Sequence, residues 1–396
     1  MIKDIRAYFN QQMQTPQYES YLNYFNSRYP GALDFRMAET PIFIPEDFKI
    51  KLLATGEYVI DFIQSNEFQT HTQAALNTNF KVPNEPPYPS CLVMDFAISS
   101  NEDGTLHPKL IELQGFPSLF GLEVLQDMAF RSVYDIPIAY SPYLNEYQRP
   151  HYLAHLERII KGEEDQHTIL LEIHPDQQKT RIDFYITRDL LNIPIVCLSE
   201  IFEENSNLFY IRNGEKFQID RIYNRVVWDD IIKEHEDIQA KAAIFLKPLN
   251  ISWVTHPHHY YRISKYLLPF LKHEHIPITH FLSDIKEVPS PLNEWVLKPL
   301  FSYAGQGIKM NVTQDDIKKI THPCEWILQK KVKYGSVIET PSGPAKAEIR
   351  LFYFWNETAQ TYTATLNLTR LSKNEMMGVG FNNTATWVGG TIAYFK

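Results

Sequence analysis

Cysteine is scarce in this chain, which has only Cys91, Cys197 and Cys324 among its 396 residues. Because they are few, odd in number and widely spaced, these residues fit buried thiols in a reducing compartment better than a disulfide framework. We therefore expect a cytoplasmic protein whose cysteines are buried and reduced.

An excess of positive charge is also missing. The 47 Asp and Glu residues outnumber the 38 Lys and Arg residues, which gives a net charge of −9. Such a chain lacks the electrostatic attraction that binds phosphate backbones and anionic membrane surfaces. We expect neither nucleic acid nor a membrane as a partner, and the sequence leaves the oligomeric state open.

Long apolar runs and internal repeats are absent as well. The N-terminal segment MIKDIRAYFNQQMQ is charged where a signal peptide needs an apolar stretch, and no later segment stays apolar for the thickness of a bilayer. What is present is a 44% hydrophobic composition in a chain too long for one simple core. A globular protein with two or three lobes is predicted.

Strand patterns mark two regions. CLVMDFAIS at 91–99 and KLIELQ at 109–114 are joined through the turn signal NEDG and predict a hairpin. Near the C-terminus, EWILQKKV at 325–332, AEIRLFYFW at 347–355 and TYTATLNLTRLS at 361–372 also predict strands. These segments favour antiparallel sheets.

Between these regions the pattern changes. HTILLEIHP at 167–175, RIDFYITRDLL at 181–191 and PIVCLSEI at 194–201 read as strand, helix and strand, a unit that builds a parallel sheet. Further on, HHYYRISKYLLPFLKHE at 258–274 has helical periodicity, with Lys265 beside its apolar face. We predict a small α/β lobe followed by a helix.

The segment WVLKPLFSYAGQGIKM at 295–310 predicts a strand, a glycine-bearing turn and a second strand. Lys298 stands at the end of the first strand, and Gly305 and Gly307 allow positive φ, so that backbone N–H groups can approach an anion. The segment is neither a Walker A loop nor a dinucleotide fingerprint. It fits either a phosphate-covering loop or an ordinary hairpin with a surface lysine.

Acidic and amide side chains converge on the first hairpin. Asp95 and Glu112 lie on its paired strands, and Gln114 follows on the same face as Glu112. Hard oxygen ligands of this kind suit Mg²⁺. The alternative is a pair of carboxylates on the wet face of a hairpin.

Two groups of histidines are candidate zinc sites, HYLAH at 151–155 and HPHH at 256–259. We identify no acidic or cysteine residue that would complete a zinc site with either group. We expect these histidines to lie on the surface.

Three segments carry a family resemblance. IELQGFPSLFGLE at 111–123, together with Asp95 and Phe96, resembles the metal-binding segment of eukaryotic-type glutathione synthetases. ISKYLLPFL at 263–271 resembles the lysine-bearing helix start of glutathionylspermidine synthetases, and WVLKPLFSYAGQGI at 295–308 resembles the strand and glycine loop of both families. The resemblance implies an α+β protein with a circularly permuted ATP-grasp fold, antiparallel sheets and an inserted α/β lobe with a parallel sheet. The acid-free tail NNTATWVGGTIAYFK agrees with permutation, because ordinary ATP-grasp enzymes carry an acidic pair near that end.

The sequence pattern alone places a middle lobe at 165–250, and the resemblance, which covers mainly 91–123 and 255–396, implies the role of each part. Residues 1–164 would form the N-terminal part of the ATP-grasp core with the metal-binding hairpin, and 165–250 would form the inserted substrate lobe. Residues 251–396 would form the C-terminal part with the glycine-loop lid.

The resemblance also implies ATP and Mg²⁺ as cofactors and assigns roles to single residues. Lys265 and Lys298 would contact the phosphates, and Arg350 and Arg370 would be catalytic, neutralising a transferring phosphoryl group or a substrate carboxylate. The arginines read equally well as exposed strand residues. The lid loop would contain Ser302, Gly305, Gln306 and Gly307. The adenine-binding hinge would contain Gln329, Lys330 and Val332. The metal ligands would be Asp95, Glu112 and Gln114.

The predicted function is that of an ATP-dependent carboxylate–amine ligase that forms an amide through an acylphosphate and releases ADP and phosphate. Peptides and polyamines are substrate classes suggested by family analogy alone. Gln114 stands where the families carry Asn, and Val93 and Met94 stand where they carry an arginine before the acid. These departures keep two alternatives open, a non-catalytic ATP-binding regulatory protein and a phosphotransferase acting on a hydroxyl group.

Overall fold

The computed structural model describes residues 1–76, 80–162, 166–303, 305–375, 377 and 385–396. The helices are α1 Lys3–Gln12, α2 Thr15–Asn26, α3 Glu46–Gln64, α4 Asn66–Thr72, α5 Phe120–Val133, α6 Arg149–Lys161, α7 Arg181–Leu191, α8 Trp228–Ile231, α9 Glu236–Ala242, α10 Pro257–Arg262 and α11 Gln314–Lys318. The strands are β1 Ile42–Ile44, β2 Cys91–Ser100, β3 Leu106–Gln114, β4 Thr168–Glu172, β5 Ile195–Cys197, β6 Phe202–Glu204, β7 Asn207–Arg212, β8 Glu215–Ile219, β9 Arg221–Asn224, β10 Ser252–Val254, β11 Thr279–Phe281, β12 Trp295–Pro299, β13 Trp326–Lys330, β14 Lys346–Asn356, β15 Thr361–Ser372, β16 Gly389–Thr391 and β17 Ala393–Phe395.

An antiparallel sheet with the order β16-β15-β14-β2-β3 forms the centre of the molecule. Both faces of β2 are covered, so its residues 91–98 are all buried, which explains why this strand reads as a nearly continuous apolar run. Val93 and Phe352 pack on one face with residues of α5 and α6, whereas Met94 and Leu351 pack on the other face with residues of α3. The predicted hairpin is confirmed as β2 and β3, and the segment predicted at 361–372 is β15.

A parallel sheet with the order β10-β9-β4-β5 forms a second layer, with its own apolar cluster. Its strands lie between residues 168 and 254, and α7 crosses from β4 to β5 as predicted. The second predicted strand is shorter than the segment 194–201, because β5 ends at Cys197 and a 3₁₀ turn follows at Leu198–Glu200. The division into three domains remains a prediction.

The lysine-bearing strand β12 pairs with β13 in a small antiparallel sheet with the order β11-β13-β12. The prediction of a second strand after the glycine turn is wrong. Leu297 and Lys309 form only an isolated bridge, with reciprocal backbone bonds of 3.0 and 2.9 Å. The chain leaves the sheet after that single pair.

The helix predicted at 258–274 is also wrong, because two separate elements occupy that segment. Helix α10 ends at Arg262, and a 3₁₀ turn spans Lys265–Phe270. The Ser264 hydroxyl accepts a 3.1 Å bond from the Tyr266 N–H and starts the turn, while Pro269 has no N–H to continue an α-helix. Lys265 is therefore the first residue of a tight turn and lies buried in the protein.

The cysteines are free in this structure, but only Cys91 is buried; Cys197 is half-buried and Cys324 is exposed. The expectation that all are buried is therefore wrong for the latter two. Within the described ranges, no helix combines the length and the apolarity needed to cross a bilayer.

Candidate functional site

The acidic residues meet at the middle of the central sheet. Asp95 on β2 lies directly opposite Glu112 on β3 and directly opposite Arg350 on β14. Gln114 lies at the end of β3, opposite Val93. The convergence of Asp95 and Glu112 that the hairpin predicted is thus present, and the next strand adds a cation to the same row.

Two arginines hold Asp95, a carboxylate that is only 1% exposed. Arg350 forms a two-pronged pair with it, with Nε 2.5 Å from Oδ1 and Nη2 2.7 Å from Oδ2. Arg370 adds a third bond, from Nη2 to Oδ2 at 2.6 Å. Burial by itself raises the pKa of Asp95, but the charges and bonds of Arg350 and Arg370 outweigh burial and lower the pKa below its usual range. Asp95 is therefore a fixed anion, and both predicted catalytic arginines are anchored on it.

Glu348 belongs to the same cluster, although sequence reasoning did not find it. It lies opposite Arg370, with which it forms an ion pair, and its Oε2 accepts a 3.0 Å bond from the Tyr334 hydroxyl. Burial raises the pKa of Glu348, and Arg370 opposes that effect only in part. The signal was available, since Glu348 precedes Arg350 by two residues and must share its face of the strand.

Lys265 joins the distant halves of the chain at this cluster. Its Nζ lies 2.8 Å from Glu112 Oε1 and 2.5 Å from the carbonyl oxygen of Ser302. Burial raises the pKa of Glu112, but the Lys265 charge outweighs burial and lowers the pKa below its usual range. A lysine that is 3% exposed thus links the acidic hairpin to the start of the glycine loop.

Lys298 reaches the same hairpin from β12. Its Nζ donates a 3.2 Å bond to the carbonyl oxygen of Ile111, and the residue is 9% exposed. Burial lowers the pKa of Lys298 to about 8, and the charge of Glu112 opposes this shift without cancelling it. Nearby carboxylates therefore balance the positive charge of Lys298 only in part, and an anion placed beside this ammonium would stabilise its charged form.

The glycine loop at 302–307 lies against Lys265 through the Ser302 carbonyl. Gly305 and Gly307 have φ values of 78° and 72°, as the turn predicted, and a Cβ on Gly307 would come within 2.9 Å of the Pro299 side chain. Gln306 closes the turn, with its N–H 3.1 Å from the Tyr303 carbonyl oxygen. Ala304, inside the predicted lid, lies outside the described residues.

One contact of this loop was missed from the sequence. The Tyr303 hydroxyl donates a 2.7 Å bond to Asp230 Oδ2 on α8. The glycine loop is therefore tied both to the lysine turn and to α8, which lies between β9 and β10 of the parallel sheet.

The predicted adenine hinge lies on and just after β13, beside the lysine strand. Gln329 is 2% exposed, and its Nε2 donates to Thr279 Oγ1 at 3.3 Å. The Lys330 ammonium pairs with Glu294 at 2.5 Å, and Val332 is half-buried beyond the strand end. Across the described part of the chain, none of these three side chains hydrogen-bonds to the Asp95–Glu112 cluster.

The histidines of HPHH are not on the surface, contrary to expectation. His256, His258 and His259 are 1%, 5% and 0% exposed, and burial lowers the pKa of His256 to about 3 and that of His259 to about 4. In HYLAH, His155 is also buried, and its ring nitrogens lie 2.6 Å from the Tyr147 hydroxyl and 2.9 Å from the Trp355 carbonyl oxygen.

Glu85 is the acidic partner that the sequence did not reveal, and with His256 and His258 it forms a group whose ligand atoms lie within 4.8 Å of one another. Its carboxylate already binds His258 Nδ1 at 2.9 Å and Arg262 Nε at 2.5 Å. The remaining His258 nitrogen lies 3.0 Å from the Val82 N–H, which donates to it. A cation here would have to compete with the Arg262 guanidinium, so the cluster acts as a polar clasp that fastens the connector 80–87 to α10.

Comparisons with known proteins bear on the fold. No protein-family model and no curated protein matches this sequence. Among solved structures, the chain is similar to a glutathione synthetase-like effector from Globodera pallida in its apo form, with a TM-score of 0.59, 11% sequence identity, and coverage of 97% of this chain and 98% of that one. The protein thus has a mixed α+β architecture with antiparallel and parallel sheets, and its fold is similar to that of this glutathione synthetase-like effector.

Proposed function

We propose that this protein is an ATP-dependent carboxylate–amine ligase with a circularly permuted ATP-grasp site. The observation that carries the proposal is the 2.8 Å bond between Lys265 and Glu112, residues 153 positions apart. Buried lysines, paired arginines and acids in one cluster are what a site for a triphosphate and its metal ion requires, because the transfer depends on charge neutralisation and positioning. The permutation is supported by chain order, since the acids on β2 and β3 precede the lysines and the glycine loop.

The oxygen donors fit Mg²⁺ at one end of the cluster. In the described chain, the second carboxylate oxygen of Glu112 and the amide oxygen of Gln114 accept no hydrogen bond, and hard oxygen ligands suit this ion. Asp95 is less free, since both of its oxygens bind arginine. Glu112 and Gln114 would hold the ion, which when bound supplies positive charge against the phosphates.

The residues of this chain would divide the remaining work. Lys265 would exchange Glu112 for a phosphate oxygen, and Lys298 would become fully charged beside the triphosphate. Arg350 and Arg370, held by Asp95, would orient the substrate carboxylate while its oxygen attacks the γ-phosphorus and the bond to ADP breaks. An amine would then attack the acyl carbon and expel phosphate, with the glycine loop excluding water. No protein nucleophile is needed.

The test is a mass-spectrometric screen of cell extract incubated with ATP and Mg²⁺, comparing the native protein with Lys298→Ala. We expect an amide product with the native protein only, and phosphate release that requires the acid and the amine together. A phosphorylated alcohol would instead assign a phosphotransferase.

A non-catalytic ATP-binding protein is the second candidate, and one observation favours it. Asp95 is saturated by Arg350 and Arg370, which leaves the site fewer free oxygens for metal than the sequence implied. ATP binding without consumption across the same screen would support this candidate against the ligase.

A further inference from the structure

Strand β5 lies at the outer edge of the parallel sheet. On its inner side, the carbonyl oxygen of Pro194 accepts a 2.9 Å bond from Leu170 N–H on β4. Because backbone groups of a strand alternate in direction, the carbonyl oxygen of Ile195 and the N–H of Cys197 point outward. These two groups flank Val196.

Both outward groups are bonded to side chains instead of to a strand. Arg212 Nη2 donates to the Ile195 carbonyl oxygen at 2.6 Å, and the Cys197 N–H donates to Glu200 Oε2 at 2.7 Å. In a parallel ladder, one residue of a neighbouring strand would donate its N–H to the Ile195 carbonyl oxygen and accept a bond from the Cys197 N–H. The Glu200 bond is also half of the capping box that starts the 3₁₀ turn at Leu198–Glu200. Together, Arg212 and Glu200 occupy the two hydrogen-bonding positions that one residue of a neighbouring strand would use.

A groove of about 480 Å³ runs beside this edge, and its lining includes Ile195, Cys197 and both capping side chains. Its charged lining is mixed, with Asp176 and Glu200 against Arg188 and Arg212. A nucleic acid or an anionic lipid would face the acids as well as the arginines. An extended polypeptide supplies both the backbone groups that the edge bonds and side chains of either charge.

We propose that the edge of β5 binds an extended peptide segment, which adds to the parallel sheet as a further strand and displaces Arg212 and Glu200. Strand addition draws its affinity from main-chain hydrogen bonds and its specificity from pockets for alternate side chains. Glu200 is exposed and Arg212 is half-buried, so both can move from the strand edge into solvent. This binding site is separate from the proposed nucleotide chemistry and needs no ATP.

The test uses a display library of random octapeptides, selected on the native protein without nucleotide, followed by fluorescence anisotropy with the synthesised winners. Cys197 has a φ of −74°, which proline adopts without strain, so Cys197→Pro removes the outward N–H alone from the backbone pattern. Cys197→Ala is the matched control, because it removes the thiol and keeps the N–H.

We expect the selected peptides to bind the native protein and Cys197→Ala equally, and Cys197→Pro at least tenfold more weakly. N-methylation of the peptide's central residue must weaken binding to the native protein as well, which tests the same bonds without altering the protein fold. The double variant Arg212→Ala, Glu200→Ala must bind more tightly, since nothing has to be displaced. If the library yields no binder, Arg212 and Glu200 block the edge of β5 to other strands. If the selected peptides bind Cys197→Pro as tightly as the native protein and tolerate N-methylation, they bind at another site. Either result overturns the proposal.

Discussion

Replacing Glu85 with Gln should remove most of the stabilisation that the polar clasp gives to the connector 80–87. Burial raises the pKa of Glu85, but the bonds from His258 and Arg262 outweigh it and lower the pKa from 4.5 to about 2. A gap of about 2.5 units corresponds to roughly 3 kcal/mol at neutral pH, at about 1.4 kcal/mol per unit. Breaking a buried ion pair by removing one partner costs a similar amount, about 3–5 kcal/mol. We therefore expect Glu85→Gln to lower the free energy of unfolding by roughly 3 kcal/mol at pH 7.

The pH dependence gives the sharper check. Because the folded-state pKa is the lower one, the contribution of Glu85 is complete above about pH 4.5 and is lost as the pH falls toward 2. The difference between native protein and variant should shrink to about 2 kcal/mol at pH 3.5. Urea unfolding followed by tryptophan fluorescence measures it, since the Trp253 ring lies 6.0 Å from that of His256.

Glu102→Gln, a change at an exposed turn residue, is the control and should leave stability unchanged. A stability loss for Glu85→Gln that is the same at pH 7 and pH 3.5 would refute the reasoning, because the loss would then not come from the ionised carboxylate.

Three further predictions concern the candidate site. ATP affinity, measured by calorimetry, should fall as the pH rises through 8, because Lys298 loses its proton there. The variant Lys298→Arg should keep its ATP affinity up to pH 9.5. An equal decline in both proteins would contradict the proposed contact between Lys298 and the phosphates. Asp95→Asn should lower the free energy of unfolding by about 3–5 kcal/mol in urea titrations, since Arg350 and Arg370 lose a buried counter-charge, and a loss below about 1 kcal/mol would show that the arginines find other partners. Tyr303→Phe should speed proteolytic cleavage of the glycine loop by removing its bond to Asp230, whereas unchanged cleavage would mean that the Ser302 carbonyl alone holds the loop.

Local pattern was sufficient to predict the strands that carry the site. The patterns along 91–114 and 361–372 predict β2, β3 and β15, but Asp95 lies opposite Glu112 only because the register shifts between Asp95 and Phe96, and no sequence pattern predicts that shift. Alternation along β14 would have identified Glu348. Strand period predicts which residues of one strand share a face, but it does not predict the register between two strands that are covered on both faces.

The sequence pattern predicted the structure wrongly where a single capping or proline residue interrupts the helical periodicity. It also missed contacts between residues that are far apart in the sequence. The apolar spacing at 258–274 favours one helix, but the Ser264 cap and Pro269 divide it, and these single residues decide the outcome. The burial of His258 depends on Glu85, which is 173 positions away and has no sequence pattern linking the two. Tyr303 and Asp230 meet for the same reason, through tertiary packing alone.

The bond between Lys265 and Glu112 has a consequence for how a ligand would enter this site. Lys265, Arg350 and Arg370 already have carboxylate partners, so the arrival of a polyanion would exchange those partners, and Lys298, whose ammonium bonds to the Ile111 carbonyl oxygen, would gain one ion pair. Few small ions would then be released to solution, and affinity would vary little with ionic strength, unlike a bare basic patch. Folding, for the same reason, does not have to wait for the nucleotide.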